Sequence, residues 1–338
     1  MPPRSYIPSS KIFIVLLFLA AIGFFFIIFG AAYSQAWSMP SALVTPIMAL
    51  GSFVAGSTFL GGGAVAFPGL TKIMAVDPSS AKTFSLAIQS VGMTSASLYI
   101  CFSVKNIPWR FFALYLPGVI IGLLVSLGFL EKVVAGNDLR IGFSLFVLIF
   151  MLIYLWAYTN KKAHYTDLGK LSIVDKNLIF KAGLLGGIIS GLLGSGADLV
   201  AFCLLALYFR IDLKLATQTS VIIMALTSIV GVLLQGLVFA DITPAIQQLW
   251  LLATPVVMIG APLGAVFCRR ATTRSLLFFI SAIVIAELVS TLLLVPIALN
   301  RAGYYISLAV ISVTLLLLLH KYNRRKTHTS QQACKELD

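Results

Sequence analysis

The sequence predicts an all-α, multi-pass membrane protein built from two inverted-topology repeats, with one extra membrane span at each end. Three observations support this fold class: the composition, an internal repeat, and a glycine cluster at the same position in each copy of the repeat. Hydrophobic residues make up 59% of the 338 residues, charged residues make up 10%, and the mean hydropathy is +1.02. A soluble protein of this size would expose too much apolar surface, so lipid is the expected solvent.

The internal repeat relates the two halves of the chain. The segment that starts at Gly51 recurs without a gap 135 positions later, from Gly186, and both copies centre on glycines within apolar sequence. A shorter match between the segments from Leu116 and Thr254 extends the repeat into the next predicted helix, after a three-residue insertion. Duplicated halves with interrupted apolar segments at matching positions are typical of secondary transporters.

The predicted elements follow in chain order. A helix needs roughly 20 apolar residues to cross the hydrocarbon, and eight such runs are predicted, at 12–32, 83–103, 109–130, 139–158, 215–240, 244–267, 275–295 and 302–320. Two further apolar segments, 41–74 and 178–209, are interrupted by small residues, and only about half a crossing follows each break. We interpret both segments as re-entrant or broken-helix hairpins. The breaks fall at Gly61, Gly62 and Gly63 in the first hairpin and at Gly194, Ser195 and Gly196 in the second.

The chain therefore divides into five parts: an N-terminal transmembrane helix at 1–40, repeat 1 at 41–158, a linker at 159–177, repeat 2 at 178–296, and a C-terminal helix with a basic tail at 297–338. Each repeat has three full crossings, so repeat 2 is predicted to be inverted relative to repeat 1. With a cytoplasmic N-terminus, 19 of the 24 basic residues lie on the cytoplasmic side. This bias predicts that both termini and the linker are cytoplasmic, in a multi-pass protein of the cell inner (plasma) membrane. The net charge of +13 then reflects topology and not a nucleic-acid partner.

The glycine breaks are the first candidate binding site. A break without side chains exposes backbone N–H groups, and the half-helix that follows it, from Ala64 or Ala197, directs the positive end of its dipole toward the membrane midplane. An anion can be held there. The alternative is that the glycines only allow helices to pack closely, but two clusters in register within a repeat favour the functional interpretation.

Polar side chains on the helices that follow the hairpins are the second candidate. Gln89 and Ser90 lie in the first copy, and Gln218, Thr219 and Ser220 lie in the second. Amides and hydroxyls can replace a hydration shell without adding a charge. They also form hydrogen bonds between helices as structural elements, and the sequence leaves both roles open.

Asp198 and Glu287 are the two acidic residues within the apolar segments. A carboxylate at that depth is costly, so each is a candidate proton-coupling group that faces a cavity or a partner. Asp198 directly follows the second break, so its alternative role is to cap the half-helix. Glu287 has no basic residue nearby in sequence, so its alternative role is that of a neutral structural acid.

Motifs in both copies resemble those of a known family. GGGAVAFPGL with DPSSAKTFS, and GLLGSGADLVAF with DLKLATQTS, resemble the sulfite exporter TauE/SafE family of membrane transporters. The resemblance covers about 41 to 295 and implies transport of small sulfur-containing anions such as sulfite or sulfonates, coupled to protons. The second copy departs from the family pattern, because Ala197 and Asp198 stand where glycines are usual and Cys203 stands where proline is frequent. The added carboxylate would repel an anion unless it is protonated or displaced.

The leading functional hypothesis is a proton-linked secondary transporter of a small anion that works by alternating access. The alternative is a cation-binding carrier or channel that uses Asp198 and Glu287. An enzyme is not expected, since His164, His320 and His328 lie at or beyond the membrane edges and no metal-ligand or nucleophile–base motif occurs. No cofactor or metal is predicted. The expected partners are the small-molecule anion and membrane lipids, while the substrate, the transport direction and the oligomeric state stay open.

Overall fold

The computed structural model describes residues 8–37, 39–61, 69–74, 76–130, 136–159, 165–169, 171–294 and 302–335. Nearly all of these residues are helical. We number the α-helices in chain order as α1 Pro8–Ala36, α2 Met39–Ala42, α3 Val44–Ser57, α4 Pro78–Ser103, α5 Trp109–Gly128, α6 Gly136–Thr159, α7 Ile173–Leu193, α8 Ala197–Cys203, α9 Leu213–Leu233, α10 Pro244–Arg270, α11 Thr273–Leu294 and α12 Ala302–Lys335. Three short π-helices are π1 Gly69–Ile73, π2 Leu204–Tyr208 and π3 Leu234–Val238.

Eight helical stretches of the described residues are long and apolar enough to cross a membrane. Seven of them coincide with predicted crossings, so the all-α, polytopic fold class is confirmed. The eighth is Ile173–Leu193, most of which belongs to the hairpin predicted at 178–209. The predicted crossing at 139–158 corresponds to α6, whose described apolar stretch, Ser144–Trp156, is shorter than a full crossing.

The start of α7 differs from the prediction for a local reason. The Ser172 side chain accepts a hydrogen bond from the N–H of Asp175, and the Asp175 carboxylate accepts one from the N–H of Ser172. This capping box satisfies two free N–H groups at once and fixes the helix start at Ile173. The predicted linker at 159–177 therefore overlaps the first turn of α7. Lys161 and Lys162 of the linker lie outside the described residues.

The two repeats have the same local structure at positions 135 residues apart. π1 and π2 follow the first and second breaks, and each is followed by an aspartate that caps the next long helix. The carboxylates of Asp77 and Asp212 accept hydrogen bonds from the N–H two residues ahead, at 3.0 and 3.1 Å. These caps begin α4 and α9 earlier than predicted, at Pro78 and Leu213, because aspartate stabilises a helix start.

The helix before the break in each repeat packs against a helix of the other repeat. A Cβ atom built on Gly118 would lie 2.3 Å from the carbonyl oxygen of Phe180, and one built on Gly122 would lie 2.3 Å from that of Leu184. These contacts advance together along α5 and α7, so the two helices are parallel. Their backbones approach so closely that only glycine fits at these positions.

The α3–α10 pair is arranged in the same way. A Cβ on Gly260 would meet the side chain of Ser52, and one on Gly264 would meet the backbone of Ser57. In contrast, α4 and α9 run antiparallel. A Cβ on Gly231 would lie 3.2 Å from the side chain of Leu86, and the contact four residues after Gly231 lies three residues before Leu86. Gln235, beyond the end of α9, donates a hydrogen bond to Thr83 Oγ1 near the start of α4 at 3.2 Å. The two breaks are buried next to these helix pairs, at Leu60 and Ala197.

Candidate functional site

The two glycine breaks meet each other in the structure. Gly61 has a φ of +65°, and a Cβ atom built on it would lie 2.9 Å from Asp198 Oδ2 and 3.4 Å from Gln89 Oε1. Next to this contact, the rings of Phe59 and Phe202 stack with centroids 3.9 Å apart. The first break, in repeat 1, therefore lies directly against the acidic residue of the second break, in repeat 2. A side chain at Gly61 would enter the space between them.

The second break is held by hydrogen bonds from its own N–H groups. Gly194, with a φ of +80°, donates to the carbonyl oxygen of Ser190 at 2.8 Å, and Ala197 donates to Ser190 Oγ at 2.8 Å. Gly196 donates to Asp198 Oδ1 at 3.2 Å. The hydroxyl of Tyr115 on α5 donates to the carbonyl oxygen of Ala197 at 2.8 Å. The N-cap of α8 is therefore Gly196 and not Asp198, which lies in the first turn of the helix and accepts the N–H of the N-cap residue. Asp198 does so at the contact with repeat 1.

Gln89 connects α4 to the second break. Its Nε2 donates to Ser85 Oγ at 2.6 Å and to the carbonyl oxygen of Gly194 at 3.0 Å. The side chain is only 3% exposed, and its Oε1 has no hydrogen-bond partner. A buried acceptor without a donor costs free energy, so it marks an atom that a ligand or a proton can satisfy. Asp198, which is 2% exposed, lies beside the same point.

The hydroxyls of the remaining predicted polar residues do not bond to the contact between Gly61 and Asp198. The hydroxyls of Ser90, Thr219 and Ser220 donate to carbonyl oxygens of their own helices, at 2.7–2.8 Å. This is the local bonding that such residues often form within a helix. Gly62 and Gly63 lie outside the described residues, as does the start of the half-helix predicted from Ala64.

Gln218 is buried and its Nε2 has no hydrogen-bond partner. Because Gln235 contacts Thr83 and the two helices are antiparallel, positions on α4 and α9 can be compared along their common axis direction. At about 1.5 Å per residue, Gln218 is then roughly 16 Å from the level of Gln89. The two glutamines therefore belong to different depths of the protein and not to one cluster.

Glu287 lies in a separate polar cluster between α6 and α11. Ser144 Oγ donates to Glu287 Oε1 at 2.7 Å and lies 2.9 Å from Thr291 Oγ1. Glu287 Oε2 is buried without a hydrogen-bond partner, and 8% of the residue is exposed. Ser144 and Thr291 were not among the predicted site residues, and neither were Ser190 and Tyr115 at the breaks. The i, i+4 spacing of Glu287 and Thr291 was the one available signal, because such residues share a helix face.

Family comparison agrees with this architecture. The model of the sulfite exporter TauE/SafE family matches residues 44–291, which is most of the chain and includes both breaks. The chain belongs to the sulfite exporter TauE/SafE family. The protein is therefore a multi-pass membrane transporter with a small-molecule substrate, and not an enzyme. No curated protein and no solved structure matches this TauE/SafE chain.

Proposed function

We propose that this TauE/SafE transporter carries a small sulfur-containing oxyanion, such as sulfite or a sulfonate, across the cell inner membrane in a proton-linked cycle. The observation that carries the proposal is the contact of Gly61 with Asp198, since it joins two interrupted helices from opposite halves of the chain. Interrupted helices at a repeat interface are typical substrate sites in secondary transporters. The family supports the class of substrate.

We assign the anion to the backbone N–H groups of the breaks, at 61–63 and 194–196, with the buried amide of Gln89 beside them. In the second break it would replace Ser190 and Asp198, which accept the N–H groups of Gly194 and Gly196 in this structure. Oriented N–H groups bind oxyanions without a positive side chain. Ser90, Gln218, Thr219 and Ser220 complete the proposed polar path along α4 and α9. Gln218 acts at a different depth, as a site that the substrate meets before or after the breaks.

Alternating access by two inverted repeats is the proposed motion. It is supported by the helix directions: the repeat-equivalent helices α4 and α9 are antiparallel, as inversion across the membrane requires. The reciprocal pairs α5–α7 and α3–α10 also fit a pseudo-two-fold arrangement. Rocking one repeat against the other would open the site at Gly61 and Asp198 to each side in turn.

Proton coupling is assigned to Glu287 and Asp198, the acids at depth in the apolar segments. Burial disfavours a charged carboxylate, so each can load and release a proton as its access to water changes. Glu287 is the preferred coupling group because it lies mid-helix and not in a first turn. Its unpartnered Oε2 and its two hydroxyl neighbours leave room for a proton on one oxygen while the other stays hydrogen-bonded.

A cation-binding carrier or channel is the second candidate function. It is favoured by the acceptor oxygens that gather at Gly61, namely Asp198 Oδ2 and Gln89 Oε1, since hard cations bind such oxygens. The N–H of Gly196, which already binds a carboxylate oxygen of Asp198, favours the anion. The two candidates make opposite predictions for removal of the negative charge.

Flux in proteoliposomes separates them. Wild type should export or import sulfite and methanesulfonate, and Asp198→Asn should retain anion flux. Loss of anion flux in Asp198→Asn together with cation flux in wild type would support the cation carrier instead. Gly196→Leu should abolish anion flux, because a side chain would cover the N–H groups. Gly303→Leu is the matched control, since no atom lies within 4 Å of a Cβ at Gly303; equal flux in both leucine variants would refute the role of the break.

A further inference from the structure

The carboxylate of Asp198 lies where an anion bound to the second break would lie. Its Oδ1 accepts the N–H of Gly196 at 3.2 Å. Ser190 accepts hydrogen bonds from the neighbouring N–H groups of Gly194 and Ala197. A substrate oxyanion that binds at Gly196 must therefore replace Asp198, since two anions cannot share these donors without strong repulsion.

A second observation shows what Asp198 would do after it is replaced. Gln89 Oε1 is a buried acceptor without a partner. A Cβ atom built on Gly61 would lie 3.4 Å from this oxygen and 2.9 Å from Asp198 Oδ2, so both oxygens face the same point. An ionised carboxylate has no hydrogen to offer this oxygen. A protonated carboxyl group has one O–H donor. The ionised form of Asp198 thus fits the N–H groups of the break, and the protonated form fits Gln89.

We propose that Asp198 is a built-in anionic occupant of the substrate site. When it is ionised, it occupies the N–H groups of the second break and excludes other anions. When it is protonated, it turns its O–H toward Gln89 Oε1 and leaves the N–H groups to the oxyanion of the substrate. This inference rests on the proposed function and deepens it: the ligand is an oxyanion that competes with an internal carboxylate, and proton binding is the event that ends the competition.

Other groups that face Asp198 can be distinguished from it. Tyr115 approaches from α5 through its bond to Ala197, and Cys203 lies on the same helix as Asp198. From α4, the carbonyl oxygen of Lys82 lies against Gly194, and its side chain is buried. A pH dependence that arises from any of these three groups persists when Asp198 is replaced by asparagine. One that arises from Asp198 disappears.

Calorimetric binding of methanesulfonate to the purified full-length protein in nanodiscs tests the inference. Methanesulfonate is the anion of a strong acid, so its own charge is constant between about pH 5.5 and 8. Aspartates that are exposed to water stay ionised over this range, because their ordinary pKa is lower. In wild type, the dissociation constant should increase as the pH rises, because ionised Asp198 competes. In Asp198→Asn it should be independent of pH and roughly tenfold or more lower than in wild type at the high end, since the competing hydrogen bonds lose their charge.

Asp212→Asn is the matched control. It removes one negative charge from the same repeat and keeps a good helix cap, so it should bind as wild type does. Gln89→Met is a second test that does not alter Asp198. It removes the acceptor for the protonated form, so it should weaken binding more at low pH than at high pH, and the pH dependence of the dissociation constant should become smaller than in wild type.

The outcomes separate the inference from the proposed function. A dissociation constant in wild type that is flat with pH overturns the inference without any variant. The same is true of an Asp198→Asn protein that keeps the pH dependence of wild type or gains no affinity at high pH; the proposed function survives both results. Absence of binding in wild type and in every variant across the pH range overturns the proposed function and the inference together.

Discussion

Replacing Gly61 by alanine tests the contact between the two breaks with a single methyl group. At its φ of +65°, a left-handed conformation, any L side chain costs roughly 1–2 kcal/mol. The added Cβ would also lie 2.9 Å from Asp198 Oδ2 and 3.4 Å from Gln89 Oε1. Forcing a methyl group into a packed interior costs about 1–3 kcal/mol more. We therefore expect a total loss of roughly 2–5 kcal/mol of folding stability.

Gly169 provides a matched control, because its φ is +63° and no atom lies within 4 Å of its Cβ position. Gly169→Ala carries the backbone strain alone, so it should lose only about 1–2 kcal/mol. Thermal unfolding in detergent should rank wild type above Gly169→Ala and Gly169→Ala above Gly61→Ala. Transport in liposomes should be lost in Gly61→Ala and retained in Gly169→Ala.

A double variant shows whether the extra cost comes from Asp198. If the methyl group acts by displacing that carboxylate, Gly61→Ala combined with Asp198→Ala should destabilise the protein by less than the sum of the two single changes. Equal unfolding temperatures for Gly61→Ala and Gly169→Ala, with equal transport, would show that the two breaks are not in contact in the working protein. Strict additivity in the double variant would exclude Asp198 as the neighbour that matters.

A cysteine introduced at Thr166, in the described part of the linker, should resist a membrane-impermeant maleimide added to intact cells, whereas one at Asp241 should react; rapid labelling at Thr166 would invert the predicted topology. Glu287→Gln keeps the hydrogen bond from Ser144 but cannot release a proton, so substrate binding should persist while accumulation driven by a pH gradient is lost; wild-type accumulation in proteoliposomes would remove Glu287 from the coupling mechanism. Gly122→Leu should abolish recovery of folded protein, because its Cβ would lie 2.3 Å from the carbonyl oxygen of Leu184, and size-exclusion chromatography that shows wild-type yield would contradict the close α5–α7 crossing.

The sequence predicted the fold class because apolar length and the repeat are properties of the chain itself. The equivalent helix caps at Asp77 and Asp212 follow from identical residues at matching positions. The start of α7 was predicted too late, although the Ser172–Asp175 spacing of a capping box was visible in the sequence. The predicted start followed the apolar run, and the first turn of α7 is too polar to belong to that run.

The contact between the two breaks could not be predicted, since it depends on how two distant segments pack. Gly61 and Asp198 are far apart in sequence, and nothing in either segment specifies the other as its neighbour. For the same reason, the sequence grouped Gln89 with Gln218, and the antiparallel packing of α4 and α9 separates them. Ser144 became a partner of Glu287 only through the packing of α6 on α11. Repeats predict which elements are equivalent, but the contacts between repeats require the folded structure.

The two breaks are equivalent in sequence but different in chemistry, and this difference bears on coupling. At the spacing of 135 residues, Gly196 corresponds to Gly61 and Asp198 corresponds to Gly63, so only the second break carries an acid. That acid lies against the first break. A carboxyl group at the interface of two repeats can face either side of the membrane when the repeats exchange conformations. In the proposed cycle, one acid at the interface would serve both access states, so the asymmetry would not confine the proton to one half of the cycle. Glu287 would then act at a separate position along the path.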